Sequence, residues 1–157
     1  MLSLVIILSS FELLIGTVYL VTLLMNKWFL NKYGEIAKEE WLRTENLRDD
    51  VRLDEFVVMP NHVHGIIIIT YQNDSRGGVL QYPPPAFRSP SNNLGAIKRG
   101  YKSTVTTQIN HPNNQPDDKV WQRNYCDHII QNHQNLNRIR KYIRNNPKNW
   151  KNDELNI

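Results

Sequence analysis

The clearest hydrophobic pattern in the chain is a pair of apolar runs, residues 52–59 and 62–71, separated by a Pro-Asn turn signal. The first run alternates apolar and polar positions well enough to predict a strand. The second contains four consecutive isoleucines, residues 66–69, without alternation. Such a run is typical of a strand buried on both faces, so we expect it in the middle of a sheet beside the first strand.

Apolar residues at helical spacing predict two helices around these strands. Residues 35–42 form the first, which we expect to pack on the sheet. The second helix has an apolar stripe, and Ser91 or Asn93 can supply its N-cap. That stripe consists of Leu94, Ile97, Tyr101 and Val105.

A third helix is predicted from Asn132, a suitable N-cap, to Asn146. Proline disfavours α conformation at the residue before it, so Pro147 should end this helix. Residues 120–125 predict a short strand whose aromatic side chains either bury or stack. Residues 72–90 and 111–118 are rich in turn-forming residues and predict loops.

The N-terminal residues 2–25 form a hydrophobic run that is long enough to span a bilayer and contains one acid, Glu12. The run has no basic residue before it, which argues against a secretory signal peptide. The alternative is one or two buried strands, since residues 17–22 are rich in β-forming residues. We favour strands over a membrane span, and the pattern leaves both open.

A length of 157 residues indicates one domain. The net charge of +4 is mild and favours an anionic partner. Cys126 is the single cysteine, which excludes an internal disulfide and a cysteine-based zinc site. We therefore expect a reducing, cytoplasmic setting.

His62 and His64 are the first candidate functional residues. Residues two apart on a strand point to the same face, so the two imidazoles should lie side by side. Imidazole is the commonest metal ligand in proteins. The alternative is that the two histidines are polar residues on a solvent face.

The third predicted helix contains a second candidate group, Arg138, Tyr142 and Asn146, which are spaced by four and share a helix face. A phenolic oxygen can attack phosphorus and hold a covalent phosphotyrosine. The Asn146 amide can supply an oxygen to a metal held by the histidines. The alternative is that Tyr142 is a half-buried packing residue.

Basic residues also lie off the apolar stripe of the second helix, at Lys98, Arg99 and Lys102, with Tyr101 nearby. A basic helix edge beside an aromatic ring can contact nucleic-acid phosphates. A solvated surface explains the same pattern.

Three segments in this order resemble the REP-associated tyrosine transposases, which belong to the single-tyrosine HUH transposases. The segments are residues 59–65 (MPNHVHG), 120–125 (VWQRNY) and 142–150 (YIRNNPKNW). Each motif alone is weak, whereas the three together are a strong signal. The resemblance extends from about residue 30 to the C-terminus.

This resemblance implies an α+β fold in which an antiparallel sheet is flanked by helices, the ferredoxin-like HUH endonuclease fold. It implies that Tyr142 is the nucleophile and that His62, His64 and Asn146 bind the metal. The implied reaction is cleavage of single-stranded DNA near hairpins, which leaves a 5′-phosphotyrosyl enzyme and a free 3′-hydroxyl that can rejoin strands.

The implied cofactor is Mg²⁺ or Mn²⁺, and no nucleotide is needed because phosphodiester exchange conserves bond energy. The implied partner is single-stranded or hairpin DNA, bound by a monomer or homodimer associated with the nucleoid. Charge and aromaticity suggest seven DNA-contacting residues: Lys98, Arg99, Tyr101, Lys102, Trp121, Arg123 and Arg138.

The N-terminus departs from this family, whose members usually begin with a basic segment and a first strand. We therefore divide the chain into an atypical hydrophobic segment, residues 1–29, and a transposase domain, residues 30–157. The first strand is expected to be missing or altered. Two alternatives follow: a hairpin-binding protein that has lost catalysis, and a protein tethered to a membrane through residues 2–25.

Overall fold

The computed structural model describes residues 2–13, 19–24, 27–72, 94–113 and 118–152. The predicted loop at residues 72–90 lies outside these ranges except for its first residue. The candidate N-caps Ser91 and Asn93 lie outside them as well, as do residues 114–117 of the second predicted loop.

The described residues form six strands and three α-helices. The strands are β1 (Leu2–Leu13), β2 (Val21–Leu24), β3 (Lys27–Leu30), β4 (Val51–Val58), β5 (His62–Gln72) and β6 (Trp121–Ile130). The helices are α1 (Lys32–Asn46), α2 (Leu94–Asn110) and α3 (His133–Asn149). Short 3₁₀ turns follow α2 at His111–Asn113 and α3 at Trp150–Asn152. The predicted helices and strands are therefore confirmed, with longer bounds for α1 and β6.

Four strands form one antiparallel sheet in the order β4-β5-β1-β6. Together with α1 and α2, they follow the chain order β-α-β-β-α-β of a ferredoxin-like fold. The predicted α+β class and the central position of β5 are confirmed.

The first strand, which we expected to be missing or altered, is present in the hydrophobic run. β1 pairs with β5 from Leu2, opposite Gln72, to Glu12, opposite His62, and it also pairs with β6. A strand hydrogen-bonded on both sides lies inside the sheet, which accounts for its apolar sequence. The boundary between residues 29 and 30 stays a prediction.

Residues 17–22 do not supply the first strand in the part of the chain that the structure describes. β2 begins only at Val21 and pairs with β3 as a separate two-stranded hairpin, which the sequence pattern did not predict. Residues 17 and 18 lie outside the described ranges. None of the described helices is both long and apolar enough to cross a bilayer.

The four isoleucines of β5 lack alternation because both faces of the sheet are covered. Val63, Ile67 and Ile69 belong to the core under α1 and α2. Ile66 and Ile68 contact a second core, which includes three residues of α3. His62 and His64 have the same parity as Ile66, so they face α3.

The core under α1 and α2 is built on aromatic rings, and Gly65 makes room for the largest of them. Trp41 is 1% exposed and contacts Phe11, Phe56 and Tyr101. A Cβ atom at Gly65 would lie 2.2 Å from the Trp41 ring. The glycine that follows His64 therefore has a packing role on the sheet face opposite the histidines.

Helix α3 begins where the sequence predicts and ends later. The Asn132 side chain accepts a hydrogen bond of 2.8 Å from the Asn135 N–H, as an N-cap does. The prediction that Pro147 ends the helix at Asn146 is wrong, because α3 continues to Asn149. Proline removes only one helical hydrogen bond here, and packing of Trp150 beyond the helix holds the last turn.

Candidate active site

The two histidines of β5 form a buried pair under α3. Their ring centroids lie 4.5 Å apart, and His62 and His64 are 0% and 5% exposed. Their burial contradicts the alternative of two polar residues on a solvent face. Buried imidazoles on a central strand are held rigidly, which suits a site that must fix a ligand.

Tyr142 of α3 lies against this pair. Its hydroxyl oxygen is 3.5 Å from His64 Nε2, and the two ring centroids are 5.6 Å apart. The side chain is 49% exposed, so the phenol is accessible to a large substrate. The alternative of a half-buried packing tyrosine does not account for a hydroxyl directed at the histidine pair.

Asn146 follows Tyr142 by one turn and is 2% exposed. It shares the buried side of α3 with Leu136, Ile139 and Ile143, where an apolar residue would be expected. Neither polar atom of its amide has a hydrogen-bond partner among the described residues. Leaving a buried polar group unsatisfied costs roughly 1–3 kcal/mol, so the position indicates a ligand that the amide binds.

Two residues that the sequence analysis did not select contact His62. Its Nδ1 lies 2.9 Å from Asn61 Oδ1, and the Trp150 ring lies 5.9 Å from its ring at a tilt of 39°. Both residues stand within the motifs that carry the family resemblance, which is the signal that identifies them. Their contacts fix the orientation of the imidazole.

Glu12 also lies at this end of the sheet, opposite His62 in the β1–β5 register. Directly opposed residues of antiparallel strands are neighbours in the sheet, so Glu12 lies next to His62 in the register, and its charge also acts on Lys102 of α2. Glu12 is partly buried. Its position explains an acid that is out of place in a membrane-spanning run.

Three residues predicted to contact DNA are buried. Lys98 is 2% exposed and its ammonium is hydrogen-bonded to Asp127. The Tyr101 hydroxyl donates to the Ala37 carbonyl at 3.1 Å, and burial followed by the charge of Glu40 raises the pKa of Tyr101.

Trp121 is 8% exposed, and its indole N–H donates to the Lys102 carbonyl at 3.2 Å. In this conformation, neither it nor Lys98 or Tyr101 presents its polar group or ring face to a DNA strand. The structure therefore does not support direct DNA contacts by these three residues.

The remaining predicted contacts are at the surface. Arg99, Arg123 and Arg138 are exposed, and Lys102 is half-buried with its ammonium donating to the Gln122 carbonyl at 2.7 Å. Burial lowers the pKa of Lys102, the charge of Lys98 adds to this shift, and that of Glu12 opposes it. Since α2 covers the sheet face opposite the histidines, Arg99 is not brought together with Tyr142.

The outer side of α3 carries a basic surface that the sequence analysis largely missed. Residues 133–152 contain six Lys or Arg residues and no Asp or Glu. A groove of about 450 Å³ on this side is lined by Asn137, Arg140, Lys141, Arg144 and Asn145. We name the exposed cations Arg138, Lys141, Arg144 and Lys148 the α3 basic surface.

Two of the basic side chains near this groove connect α3 to β4. Arg140 forms a bidentate ion pair with Asp54, at 3.2 Å from Nε to Oδ1 and 2.6 Å from NH2 to Oδ2. Arg144 pairs with the neighbouring Glu55. These hydrogen bonds raise the pKa of both guanidinium groups, and the two ion pairs connect α3 to β4.

No group of three or more His, Cys, Asp or Glu side chains within the described ranges is arranged to hold a metal ion. The predicted ligand set uses two histidines and an amide, a combination outside that definition. The structure brings His62 and His64 of β5 together with Tyr142 of α3. Asn146 lies one turn after Tyr142 on α3.

Comparison with solved structures identifies the class of fold. The chain is similar to the structure of a REP-associated tyrosine transposase bound to a REP hairpin, with a TM-score of 0.62 and 16% identity. The match covers 91% of this chain and 66% of that one, just under two thirds of its length. A transposase candidate from Deinococcus radiodurans matches over 91% of both chains, with 16% identity and a TM-score of 0.43. The resemblance drawn from the motifs is thus confirmed at the level of the fold.

The sequence comparison identifies the family. An uncharacterised protein of Haemophilus influenzae is 37% identical over 131 residues, which cover 82% of this chain and 72% of that protein. The chain belongs to the same family as this Haemophilus influenzae protein. No protein-family model matches the chain.

Proposed function

We propose that this protein is a metal-dependent transposase that cuts and rejoins single-stranded DNA near hairpins through a 5′-phosphotyrosine at Tyr142. The observation that carries the proposal is the half-exposed Tyr142 hydroxyl 3.5 Å from the buried His64. The fold shared with a transposase bound to a REP hairpin supports the choice of substrate.

In the proposed cleavage step, the Tyr142 oxygen attacks the scissile phosphorus. A new oxygen–phosphorus bond forms to the phenol, the bond from phosphorus to the 3′ oxygen breaks, and the leaving 3′ oxygen takes up a proton from solvent to become a hydroxyl. The phenol gives up its proton to solvent. The reverse reaction with another 3′-hydroxyl rejoins the strands, and one phosphodiester replaces another without a nucleotide cofactor.

His62, His64 and Asn146 would hold a divalent cation, Mg²⁺ or Mn²⁺. The fit rests on the buried Asn146 amide, which has no partner among the described residues, and on the Asn61 contact: an Nδ1–H that donates to Asn61 Oδ1 would leave His62 Nε2 to serve as a ligand. A bound cation would polarise the scissile phosphate. Imidazole ligands suit Mn²⁺ better than Mg²⁺.

The DNA backbone would lie along the α3 basic surface. This surface shares its helix with Tyr142, whereas the basic residues of α2 lie across the sheet. Lys141 directly precedes Tyr142 and is exposed, and Arg144, two residues after Tyr142, is exposed while paired with Glu55. Phosphate contacts here would position the strand without reading its sequence.

Incubation of the purified protein with hairpin oligonucleotides and Mn²⁺ tests the proposal on a denaturing gel. We expect a covalent protein–DNA band that disappears in Tyr142→Phe, while hairpin binding stays nearly unchanged. Tyr19→Phe is the matched control, because Tyr19 is 56% exposed and no contact of its ring with the histidines is seen. It should form the band as the wild type does.

Adduct formation by Tyr142→Phe at the wild-type yield would refute Tyr142 as the nucleophile. Hairpin-selective binding with no adduct would instead support the alternative of a protein that binds hairpins and no longer cuts them. That alternative was drawn because the first strand was expected to be missing or altered, and β1 supplies that strand.

A further inference from the structure

A small apolar pocket lies beside the candidate active site and is unused in the proposed reaction. Its volume is about 180 Å³, and its walls come from the β2–β3 hairpin, the end of β4 with the turn that follows it, and α3. The lining residues are Val21, Trp28, Leu30, Val58, Met59, Pro60 and Pro147. None of them is charged, so the pocket suits a neutral group and not a phosphate.

The residues that line the pocket adjoin those of the histidine site. Met59 and Pro60 lead into His62, and the Met59 N–H donates to the His62 carbonyl at 2.8 Å. The Trp28 ring contacts Trp150 edge to face, with centroids 6.3 Å apart at 83°. Trp150 in turn packs on His62, so two ring contacts connect the pocket wall to a predicted metal ligand.

The walls are held in place by main-chain hydrogen bonds. The Leu20 N–H, just before β2, donates to the Pro60 carbonyl at 2.9 Å, and the Leu20 carbonyl accepts from the Asn31 N–H at 3.1 Å. The Leu13 N–H donates to the Asn61 carbonyl at 2.8 Å. Because main-chain hydrogen bonds hold both sides of the hairpin, the pocket is formed before a ligand binds. This reduces the free-energy cost of binding.

One aromatic wall is accessible from solvent. Trp28 is 39% exposed although it lies against Trp150, and the proline rings offer rigid apolar surfaces around it. An indole that is partly exposed at a pocket mouth is suited to stacking on a flat ring. The adjacent Phe29 is 49% exposed and does not line the pocket, as expected for successive residues of a strand.

We infer that this pocket binds one unpaired nucleobase of the DNA strand next to the phosphate that Tyr142 attacks. The inference rests on the proposed function, since it places the base beside the same scissile phosphate. A flat, uncharged ring attached to an anionic backbone matches an apolar pocket adjoining a cationic helix. The pocket thereby gives the enzyme a means to select the cleavage position along the flank of a hairpin.

The test uses Tyr142→Phe protein, which should hold DNA uncut, and hairpin oligonucleotides with randomised unpaired flanks. The tightest hairpin is then remade with an abasic nucleotide at each flank position, and dissociation constants are measured by fluorescence anisotropy. We expect one position at which loss of the base weakens binding about tenfold. Trp28→Ala should weaken the intact hairpin by a similar factor and the abasic hairpin hardly further.

Phe29→Ala is the matched control and should leave the sensitivity to that base intact. Leu30→Trp provides a second variant that fills the pocket while keeping Trp28, and it should also abolish the sensitivity. Two results would overturn the pocket assignment. One is that the loss of affinity caused by Trp28→Ala multiplies with the loss caused by the abasic position. The other is that Phe29→Ala weakens binding as much as Trp28→Ala does. A wild-type protein that forms the covalent adduct without any base-sensitive position would overturn the pocket alone, whereas a protein that captures no DNA would overturn the proposed function as well.

Discussion

Asn146 is the single residue whose replacement best distinguishes metal binding from packing. A buried amide in an apolar helix stripe is costly unless something binds it. Replacement by leucine should therefore keep or raise the melting temperature of the metal-free protein, because an unsatisfied amide gives way to an apolar side chain.

The same Asn146→Leu variant should lose most of the rise in melting temperature that Mn²⁺ causes in the wild type. Ligand binding to the folded state stabilises it by about 2.7 kcal/mol at a concentration 100 times the dissociation constant. Thermal unfolding in EDTA and in Mn²⁺ measures both effects, with Asn145→Leu as the neighbouring control. A variant that is destabilised in EDTA and keeps the full Mn²⁺ shift would assign Asn146 to packing only.

Gly65 offers a prediction about packing that is independent of metal. A Cβ atom there would lie 2.2 Å from the buried Trp41 ring, so Gly65→Ala should destabilise the protein by about 1–3 kcal/mol. Gly100→Ala is the control, because the nearest atom to its Cβ is 3.5 Å away on the flexible Arg48 side chain. That exposed helix position should gain about 0.5–1 kcal/mol.

Urea unfolding of both alanine variants checks this prediction. Equal stability of the Gly65→Ala protein and the wild type would mean that the Trp41 ring moves without cost, contrary to the packing described above.

Strand and helix periods predicted two separate groups of candidate residues, and the family resemblance joined them into one site. His62 and His64 had to share a face, and Tyr142 had to lie one turn from Asn146. The contact of Trp150 with His62 was missed because it requires α3 to continue past Pro147. The burial of Lys98 was not predicted, because apolar spacing along α2 does not show that Asp127 of β6 lies beside the Lys98 ammonium.

Among the secondary-structure elements, the position of α3 relative to β4 determines where the nucleophile lies. The register of β4 with β5 shifts between Leu53 and Phe56, and this irregularity includes Asp54 and Glu55, the partners of Arg140 and Arg144. Two consecutive carboxylates can then hold one helix. Arg140 and Arg144 lie two residues before and after Tyr142, so the ion pairs position the part of α3 that carries Tyr142.

Double-mutant analysis of Asp54→Asn and Arg140→Gln should give a coupling energy of up to about 1 kcal/mol that decreases with added salt. Urea unfolding of the four proteins measures it. The Glu35–Lys38 pair on α1 is the control, since both side chains are over 40% exposed and should show almost no coupling. A coupling between Asp54 and Arg140 no larger than in the control would remove the proposed role of the β4 irregularity.

The helices and the β4–β5 pair were predictable from apolar spacing and a turn signal. The β2–β3 hairpin was not, because its strands are four residues each and carry no alternation that distinguishes them from the preceding run. Its importance appears only in three dimensions, where Trp28 reaches Trp150.

At the scale of the whole molecule, β1 determines whether the chain folds as one unit. It lies between β5 and β6, and Phe11 at its end is fully buried among core rings. Deletion of residues 2–13 should therefore abolish cooperative unfolding, because β6 would lose its neighbour in the sheet. Circular dichroism during heating checks this, with the Gly100→Ala protein as a folded comparison.

A deletion protein that still unfolds cooperatively would contradict the central position of β1. Fractionation of cells with an alkaline wash provides a second check on the hydrophobic run. Retention of the full-length protein in the washed membranes would support the tethering alternative over a strand in the sheet.

The central claim is that Tyr142 becomes covalently bound to DNA, and peptide mass spectrometry of the adduct tests it most directly. Trypsin cleaves after Lys141 and Arg144, so the modified tyrosine lies on the short peptide of residues 142–144. We predict that this peptide, from protein incubated with hairpin DNA and Mn²⁺, carries the mass of a 5′-phosphorylated nucleotide after nuclease digestion. An adduct mapped to another tyrosine, or an unmodified peptide 142–144 from gel-purified adduct, would contradict the account.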